Sequence, residues 1–291
     1  MKKFTILIPV YNDWESLTKL LYEINSTIEN IKDVQFKCVV INDASTERAP
    51  EIKPPSNITS IELINMKKNK GHARCNAFGI RYLAENNDSY DHVILMDGDG
   101  EDRPEEIKLL VDKALFDKST SVVAKRIKRS EGPFFQLLYK MHKLITIIFT
   151  GKNINFGNYS CLTKIDIIEL SSKESLWSSF SGSLKCHIKN LNSVNSIRGL
   201  RYHGPSKMSL FKLGIHSFSI IAVFKINVFI RSVIMIIATS YFSYDFGLIT
   251  TTFQLSLVLF CLTIYLASLR ENKKNFLDSH TNLDSKYTYT R

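Results

Sequence analysis

Apolar and polar positions divide the chain into two regimes. Up to about residue 217, apolar runs of strand length alternate with stretches whose apolar residues recur at helical spacing. Phe4–Val10 (FTILIPV) predicts a first strand, stopped by Pro9, Tyr11 and Asn12. Trp14, Leu17, Leu21, Ile24 and Ile28 then fall on one helical face, and Asn12 and Glu15 stand at capping-box spacing. Phe36–Ile41 and Ile58–Met66 predict two more strands. Asn69-Lys70-Gly71 is a turn before a helix carrying Ala73, Ala77, Ile80 and Leu83. His92–Met96 predicts a buried strand. Pro104 suits the first turn of the next helix, with Glu105 and Glu106 at its positive end. Ser121–Ala124 predicts a strand that closes on the basic run 125–129. Strands alternating with helices in this way predict βαβ units and a mostly parallel sheet with flanking helices.

From about Phe218 onward the pattern changes. Phe246–Leu269 is a stretch of ~24 residues without a charge, long enough to span a bilayer. Ile226–Phe242 is a second apolar stretch, with Arg231 near its start, and Ser243-Tyr244-Asp245 joins the two. The pattern predicts a membrane hairpin. Lys225 and Arg231 lie at its entry, Arg270, Lys273 and Lys274 follow its exit, and the turn holds Asp245 but no basic residue. Basic flanks stay in the cytoplasm, so both ends are expected there and the turn outside. Leu137, Leu138, Met141, Leu144, Ile145 and Ile148 form an apolar stripe that suits a helix packed on the sheet or one lying in the membrane interface. The segment 208–223, with Leu210, Phe211, Leu213 and Ile215 beside Lys207 and Lys212, presents the same choice.

Charge narrows the partners. The 38 basic and 28 acidic residues of the 291 give a net charge of +10, which favours anionic ligands such as nucleotides and lipid phosphates. The basic run 125–129 has no stacking aromatic motif beside it, which argues against nucleic acid. Cys38, Cys75, Cys161, Cys186 and Cys261 lie far apart and read as reduced thiols in a cytosolic setting. The apolar run after Met1-Lys2-Lys3 is too short for a signal peptide.

The candidate chemistry centres on Asp97-Gly98-Asp99-Gly100-Glu101-Asp102, directly after the strand at His92–Met96. Four carboxylates this close repel one another unless a cation neutralises them, and hard oxygen donors suit Mg²⁺ or Mn²⁺. An EF-hand is excluded, because Asp102 and Lys108 stand where that loop needs Gly and Glu. With parallel strands, Asp13, Asp43, Asp97, Asp99 and Arg126 all reach one rim, the end of an open α/β sheet where ligands bind. His72 and His203 read as structural or hydrogen-bonding residues rather than metal ligands, and His142, His187 and His216 receive no role. Asp166, Glu169 and Glu174 fall in a surface helix, which leaves Glu101 or Asp102 as the candidates for any general base.

Five segments in order, Ile8–Asp13 (IPVYND), Val40–Glu47 (VINDASTE), Asn69-Lys70-Gly71, Asp97-Gly98-Asp99 and Arg201–Ser209 (RYHGPSKMS), resemble inverting family 2 glycosyltransferases of the GT-A fold. Within that family the chain is most similar to the dolichyl- and polyprenyl-phosphate sugar synthases. The resemblance implies a nucleotide pocket lined by Pro9, Tyr11 and Asp13, with Asp43 near the base or ribose. It implies Mg²⁺ or Mn²⁺ held by Asp97 and Asp99, with Glu101 as a further ligand. Arg126 and Arg201, with Ser206 and Lys207, would meet phosphates of donor and acceptor. Asn42 and Ala44 depart from the family's usual Asp and Gly, and Ser160 stands where many lipid-phosphate synthases carry Arg. The implied activity is transfer of a sugar from a nucleotide-diphosphate-sugar to polyprenyl phosphate at the cytoplasmic membrane face. The alternatives are elongation of a lipid-linked or cell-surface glycan, or a non-catalytic membrane scaffold. The expected organisation is a GT-A domain over 1–205, a juxtamembrane amphipathic helix over 206–225, a hairpin over 226–269 (about 226–242 and 246–269) and a cytoplasmic tail over 270–291. A homo-oligomer is compatible with this arrangement.

Overall fold

The computed structural model describes residues 1–86, 89–128, 133–204, 209–241 and 247–291; Ser206, Lys207 and the turn at Ser243–Asp245 lie outside these. The first half alternates as the periodicity predicts: β1 (Lys2–Val10), α1 (Trp14–Ile28), β2 (Val34–Asn42), β3 (Ile58–Met66), α2 (His72–Glu85), β4 (His92–Leu95), α3 (Ile107–Phe116) and β5 (Ser121–Lys128). There follow α4 (Pro133–Thr150), β6 (Phe156–Thr163), α5 (Lys164–Ser171), α6 (Phe180–His187) and β7 (Leu191–Ile197). The apolar end contains α7 (Leu210–Ala222), α8 (Lys225–Ser240), α9 (Gly247–Ser268), α10 (Lys273–Leu277) and β8 (Leu283–Thr290).

Among the described residues, eight strands form one sheet in the order β7-β5-β6-β4-β1-β2-β3-β8. Side chains of successive strand residues point to opposite faces. Phe4, Ile6 and Ile8 of β1 therefore enter a core beneath α1 and α3, while Leu7 enters a second core with residues of α2, α5 and α6. Burial on both faces explains why these strands read as continuous apolar runs.

The sheet is mostly parallel, as expected, with two strands, β6 and β8, running against the rest. β1 pairs in parallel with β2 and β4, β2 with β3, and β5 with β7. β6 runs antiparallel to both β4 and β5, and β8 antiparallel to β3. Two reversals cancel, so β5 points the same way as β4 and its end reaches the rim where β1, β2 and β4 also end. The capping box does not form: Asp13 is the N-cap residue of α1 without a side-chain cap, and Asn12 instead exchanges hydrogen bonds with Thr46. β5 runs on to Lys128 and absorbs most of the basic run.

The last residues are not a loose tail. β8 adds to the open edge of β3, with Asn65 Nδ2 donating to Ser285 Oγ at 3.0 Å. Just before it, Phe276 is fully buried in the second core. The chain therefore leaves the sheet domain after β7, passes through α7, α8 and α9, and returns to the same domain.

α4 lies against α7 and α8, with Leu137, Met141 and Leu144 exposed. One described helical stretch, beginning at Gly247, is by itself long and apolar enough to cross a membrane. α7 and α8 pass that test only as a pair, bent by 83°. Lys225 Nζ, at the start of α8, pairs with Glu271 at 2.7 Å just past α9, so both open ends of the hairpin are tied at one level. Arg231 Nη1 donates to the Ile148 carbonyl at 2.9 Å and anchors α8 to the end of α4.

Candidate active site

The acidic run after β4 is held in place mainly by its own backbone. The Asp97 N–H donates to Asp102 at 3.0 Å, and the Glu101 N–H donates to Asp99 at 3.0 Å. These bonds curl the run so that Asp97, Asp99 and Asp102 share a largely buried space. Gly100 completes the curl at φ +85°, a conformation that favours glycine, and any Cβ there would meet the Tyr202 ring at 2.4 Å.

The predicted convergence on one rim is present, with each side chain in a defined setting. Asp97 accepts from His72 Nε2 at 2.9 Å and from Asn158 Nδ2 at 3.2 Å. Asp99 pairs with Arg201 Nη1 at 2.7 Å, and the second guanidinium nitrogen of Arg201 reaches Asp13. Arg201 thus clamps the ends of β1 and β4 together. The Arg126 guanidinium lies 3.8 Å from Asp102 and rests on Gly157, where an added Cβ would come within 2.5 Å of it. Glu101 pairs with Arg198 rather than with the other carboxylates. Asp43 accepts from the N–H groups of Lys70 at 2.8 Å and Gly71 at 2.7 Å, fastening the turn that starts α2. Asp43 is itself buried, at 4% exposure. Tyr11 is 40% exposed at the rim, and Pro9 immediately precedes the β1 end.

Residues 198–204 form a strap over the acidic run. Gly199 N–H donates to the Glu101 carbonyl at 2.8 Å and Tyr202 N–H to the Asp99 carbonyl at 3.0 Å, while the Tyr202 hydroxyl bonds Glu23. Among the family departures, Ala44 keeps a positive φ of 56°, the geometry a glycine would favour. Asn42 donates to Asn65 Oδ1 at 2.8 Å and accepts from Ser45 N–H, so this amide orders the β2 end.

Three buried carboxylates in one space push their titrations apart. Burial and then the charge of Asp97 raise Asp99 to about 6, against the pull of Arg201 and Arg198. Burial and Asp97 likewise raise Asp102 to about 7. Burial would raise Asp97 as well, but the His72 contact and the charges of Arg126 and Arg198 hold it far below the usual range. This donor set fits a hard divalent cation, since a cation at Asp97 and Asp99 removes the repulsion that lifts Asp99. Among the described residues no three His, Cys, Asp or Glu side chains form a closed cage, so such an ion would take remaining ligands from phosphate or water.

His72, Asn158 and Arg198 were not singled out from the sequence as members of this site. His72 carried a signal, because it follows the Asn69-Lys70-Gly71 turn at the first position of α2. A cavity of about 890 Å³ lies along the outer side of α1 among Trp14, Tyr22 and Pro50 and reaches His203 of the strap.

The chain matches the family described as "Glycosyl transferase family 2" over residues 5–180. It is 30% identical over 171 residues to the undecaprenyl-phosphate 4-deoxy-4-formamido-L-arabinose transferase of Salmonella choleraesuis, covering 56% of this chain and 48% of that protein. The enzyme of that name from Salmonella paratyphi B matches to the same extent. The chain therefore spans about half the length of these curated relatives. Among solved structures, glucosyl-3-phosphoglycerate synthase from Mycobacterium tuberculosis with Mn²⁺, UDP-glucose and phosphoglyceric acid has 15% identity and a TM-score of 0.49, over 78% of this chain and 80% of that one.

Proposed function

Because the chain belongs to glycosyl transferase family 2, we propose that it moves a sugar, with inversion, from a nucleotide-diphosphate-sugar to polyprenyl phosphate at the cytoplasmic face of the cell membrane. One observation carries this reading. Buried carboxylates and phosphate-matching guanidinium groups share a rim, and exposed apolar helices flank the same domain. The curated relatives named as undecaprenyl-phosphate sugar transferases support the choice of acceptor.

In this reading Tyr11 and Asp13 border the nucleotide, and Asp43 holds the 70–71 turn that walls it in. Asp97 and Asp99 would hold Mg²⁺ or Mn²⁺, which supplies charge stabilisation to the departing diphosphate. His72 and Asn158 fix the Asp97 carboxylate by hydrogen bonds. Arg201 waits between Asp13 and Asp99 as a fork whose geometry suits phosphate oxygens. Ser206 and Lys207, next to it in sequence, stay with the acceptor phosphate.

A phosphate acceptor is already an anion, whereas a sugar hydroxyl needs a base within hydrogen-bond reach. Asp102 titrates in the right range, but it is 4% exposed and an oxygen is committed to the Asp97 N–H. That favours the phosphate over the glycan acceptor. The return of β8 to β3 supports a hairpin over a single span, since a chain that leaves and rejoins one domain would cross a bilayer an even number of times. If α9 crosses, the bent pair of α7 and α8 would supply the other crossing.

The test incubates membranes containing the protein with radiolabelled sugar nucleotides and extracts the lipids. Label on a mild-acid-labile lipid phosphate is the expected outcome. Label on a longer glycan would replace the acceptor, and no label in any fraction would leave a scaffold.

A further inference from the structure

Arg201 commits all three guanidinium nitrogens to the protein itself. Nε donates to the His203 carbonyl at 2.9 Å, Nη1 donates to Asp99 Oδ2 at 2.7 Å, and Nη2 donates to Asp13. The other Asp99 oxygen accepts from the Glu101 N–H at 3.0 Å. Both oxygens of Asp99 are therefore engaged, and the fork of Arg201 that matches a phosphate is filled by two carboxylates. Asp97 is different, because His72 and Asn158 both meet the same oxygen, Oδ1, and leave Oδ2 to other partners. The backbone around Arg201 is stitched down. Gly199 N–H donates to the Glu101 carbonyl at 2.8 Å and Tyr202 N–H to the Asp99 carbonyl at 3.0 Å. Lys19 Nζ rests 4.4 Å from the centre of the Tyr202 ring, whose hydroxyl bonds Glu23. With the strap fixed on both sides of it, the part left to change partners is the Arg201 side chain.

We propose that Arg201 is a displaceable counter-ion that exchanges Asp99 and Asp13 for the diphosphate of the donor, so that the divalent cation and the diphosphate bind interdependently. The inference rests on the metal and donor roles of the proposed function. A cation entering at Asp99 meets a guanidinium on the same carboxylate, and like charges at that separation repel. The bare ion must expel Arg201 from a largely buried double ion pair and offers it no new partner. A cation that arrives with a diphosphate supplies the oxygens to which the released fork turns. Arg201 thereby opposes the bare metal and favours the metal–diphosphate complex, which is a coupling between two ligands carried by one side chain. An arginine that only bound phosphate would leave the affinity for the bare ion untouched. One that only blocked the entrance would oppose both forms alike.

The full-length protein in detergent is titrated by calorimetry with Mn²⁺ alone and with preformed Mn²⁺-pyrophosphate. The wild type should bind the complex at least about tenfold more tightly than the bare ion. Arg201→Ala should bind bare Mn²⁺ about tenfold more tightly than the wild type and Mn²⁺-pyrophosphate about tenfold less tightly, so the preference falls about 100-fold. Arg201→Gln removes the charge, keeps a donor of similar reach, and serves if the alanine variant does not fold. An affinity for bare Mn²⁺ that is unchanged or weaker in the folded variant would overturn the proposal, even with the complex bound less tightly. Equal gains for both probes would overturn it too, since Arg201 would then be a simple block. If neither protein bound Mn²⁺ in any form, the metal reading itself would fail, and this inference with it.

Discussion

Asp102→Asn tests the electrostatics of the acidic run in isolation. The asparagine retains an oxygen to accept the Asp97 N–H, so the curl of the backbone survives and only the charge is removed. Burial and the neighbouring Asp97 lift the Asp102 carboxyl from 3.8 to about 7, while Arg126 at 3.8 Å lowers it only in part. A folded-state pKa above the unfolded value means that the folded protein holds the proton more tightly. The associated stability is complete below about pH 4 and is lost as pH rises toward 7. Three units correspond to a ceiling of about 4 kcal/mol, and sharing the repulsion with Asp97 and Asp99 brings it to about 2 kcal/mol. Asp102→Asn should therefore match the wild type at pH 4 and exceed it at pH 8 by roughly 4 °C in melting midpoint. Thermal unfolding of both proteins without ligand, from pH 4 to pH 8, reads this directly. A lower midpoint for the variant at pH 8 would mean that the Arg126 pair outweighs the burial of a third anion, and the reasoning would be refuted.

Three further outcomes are expected. Asp99→Ala should reduce transfer at least about 100-fold, since even groups outside the first ligand shell cost 10–100-fold, and should abolish any rise in melting midpoint with Mn²⁺; a retained Mn²⁺ effect would count against Asp99 as a ligand. Ala44→Gly should stabilise the protein by up to about 1 kcal/mol, because the left-handed backbone costs an alanine about 1–2 kcal/mol and the freer unfolded glycine takes part of that back; a lower urea midpoint would contradict it. With Cys186 and Cys261 replaced by Ser, a cysteine at Tyr244 should react with an impermeant thiol reagent in intact cells, and one at Tyr287 should react only after lysis; early labelling at Tyr287 would put β8, and the sheet it belongs to, outside and refute the cytoplasmic orientation.

The sequence revealed the elements whose burial is two-sided or amphipathic. β3 begins and ends where its alternation says, and the helix after Gly71 buries Ala77, Ile80 and Leu83, as its spacing says. Neither β6 nor β7 was read as a strand, and for β7 (LNSVNSI) the reason is that an edge strand needs little apolar content. β8 was read as a tail since KYTYT carries β-propensity without a hydrophobic face. Its pairing comes from the open edge of β3, which no local pattern records. In the site, the carboxylates were visible because crowded like charges demand an explanation. Arg198 and Asn158 were not, since one matters only through Glu101 and the other only through Asp97. Asp43 was visible as a residue but not in its setting, where both oxygens serve backbone N–H groups.

In the proposed reaction a sugar alone passes to a lipid phosphate that keeps its phosphate. Purified full-length protein, Mn²⁺, undecaprenyl phosphate and a panel of nucleotide sugars should be incubated together and the extracted lipid weighed by mass spectrometry. One donor should add the mass of a single sugar residue to the intact lipid phosphate, and Asp99→Ala should abolish the gain. A lipid that gains a sugar phosphate, or that stays unmodified with every donor while a glycan acceptor is extended, would contradict it.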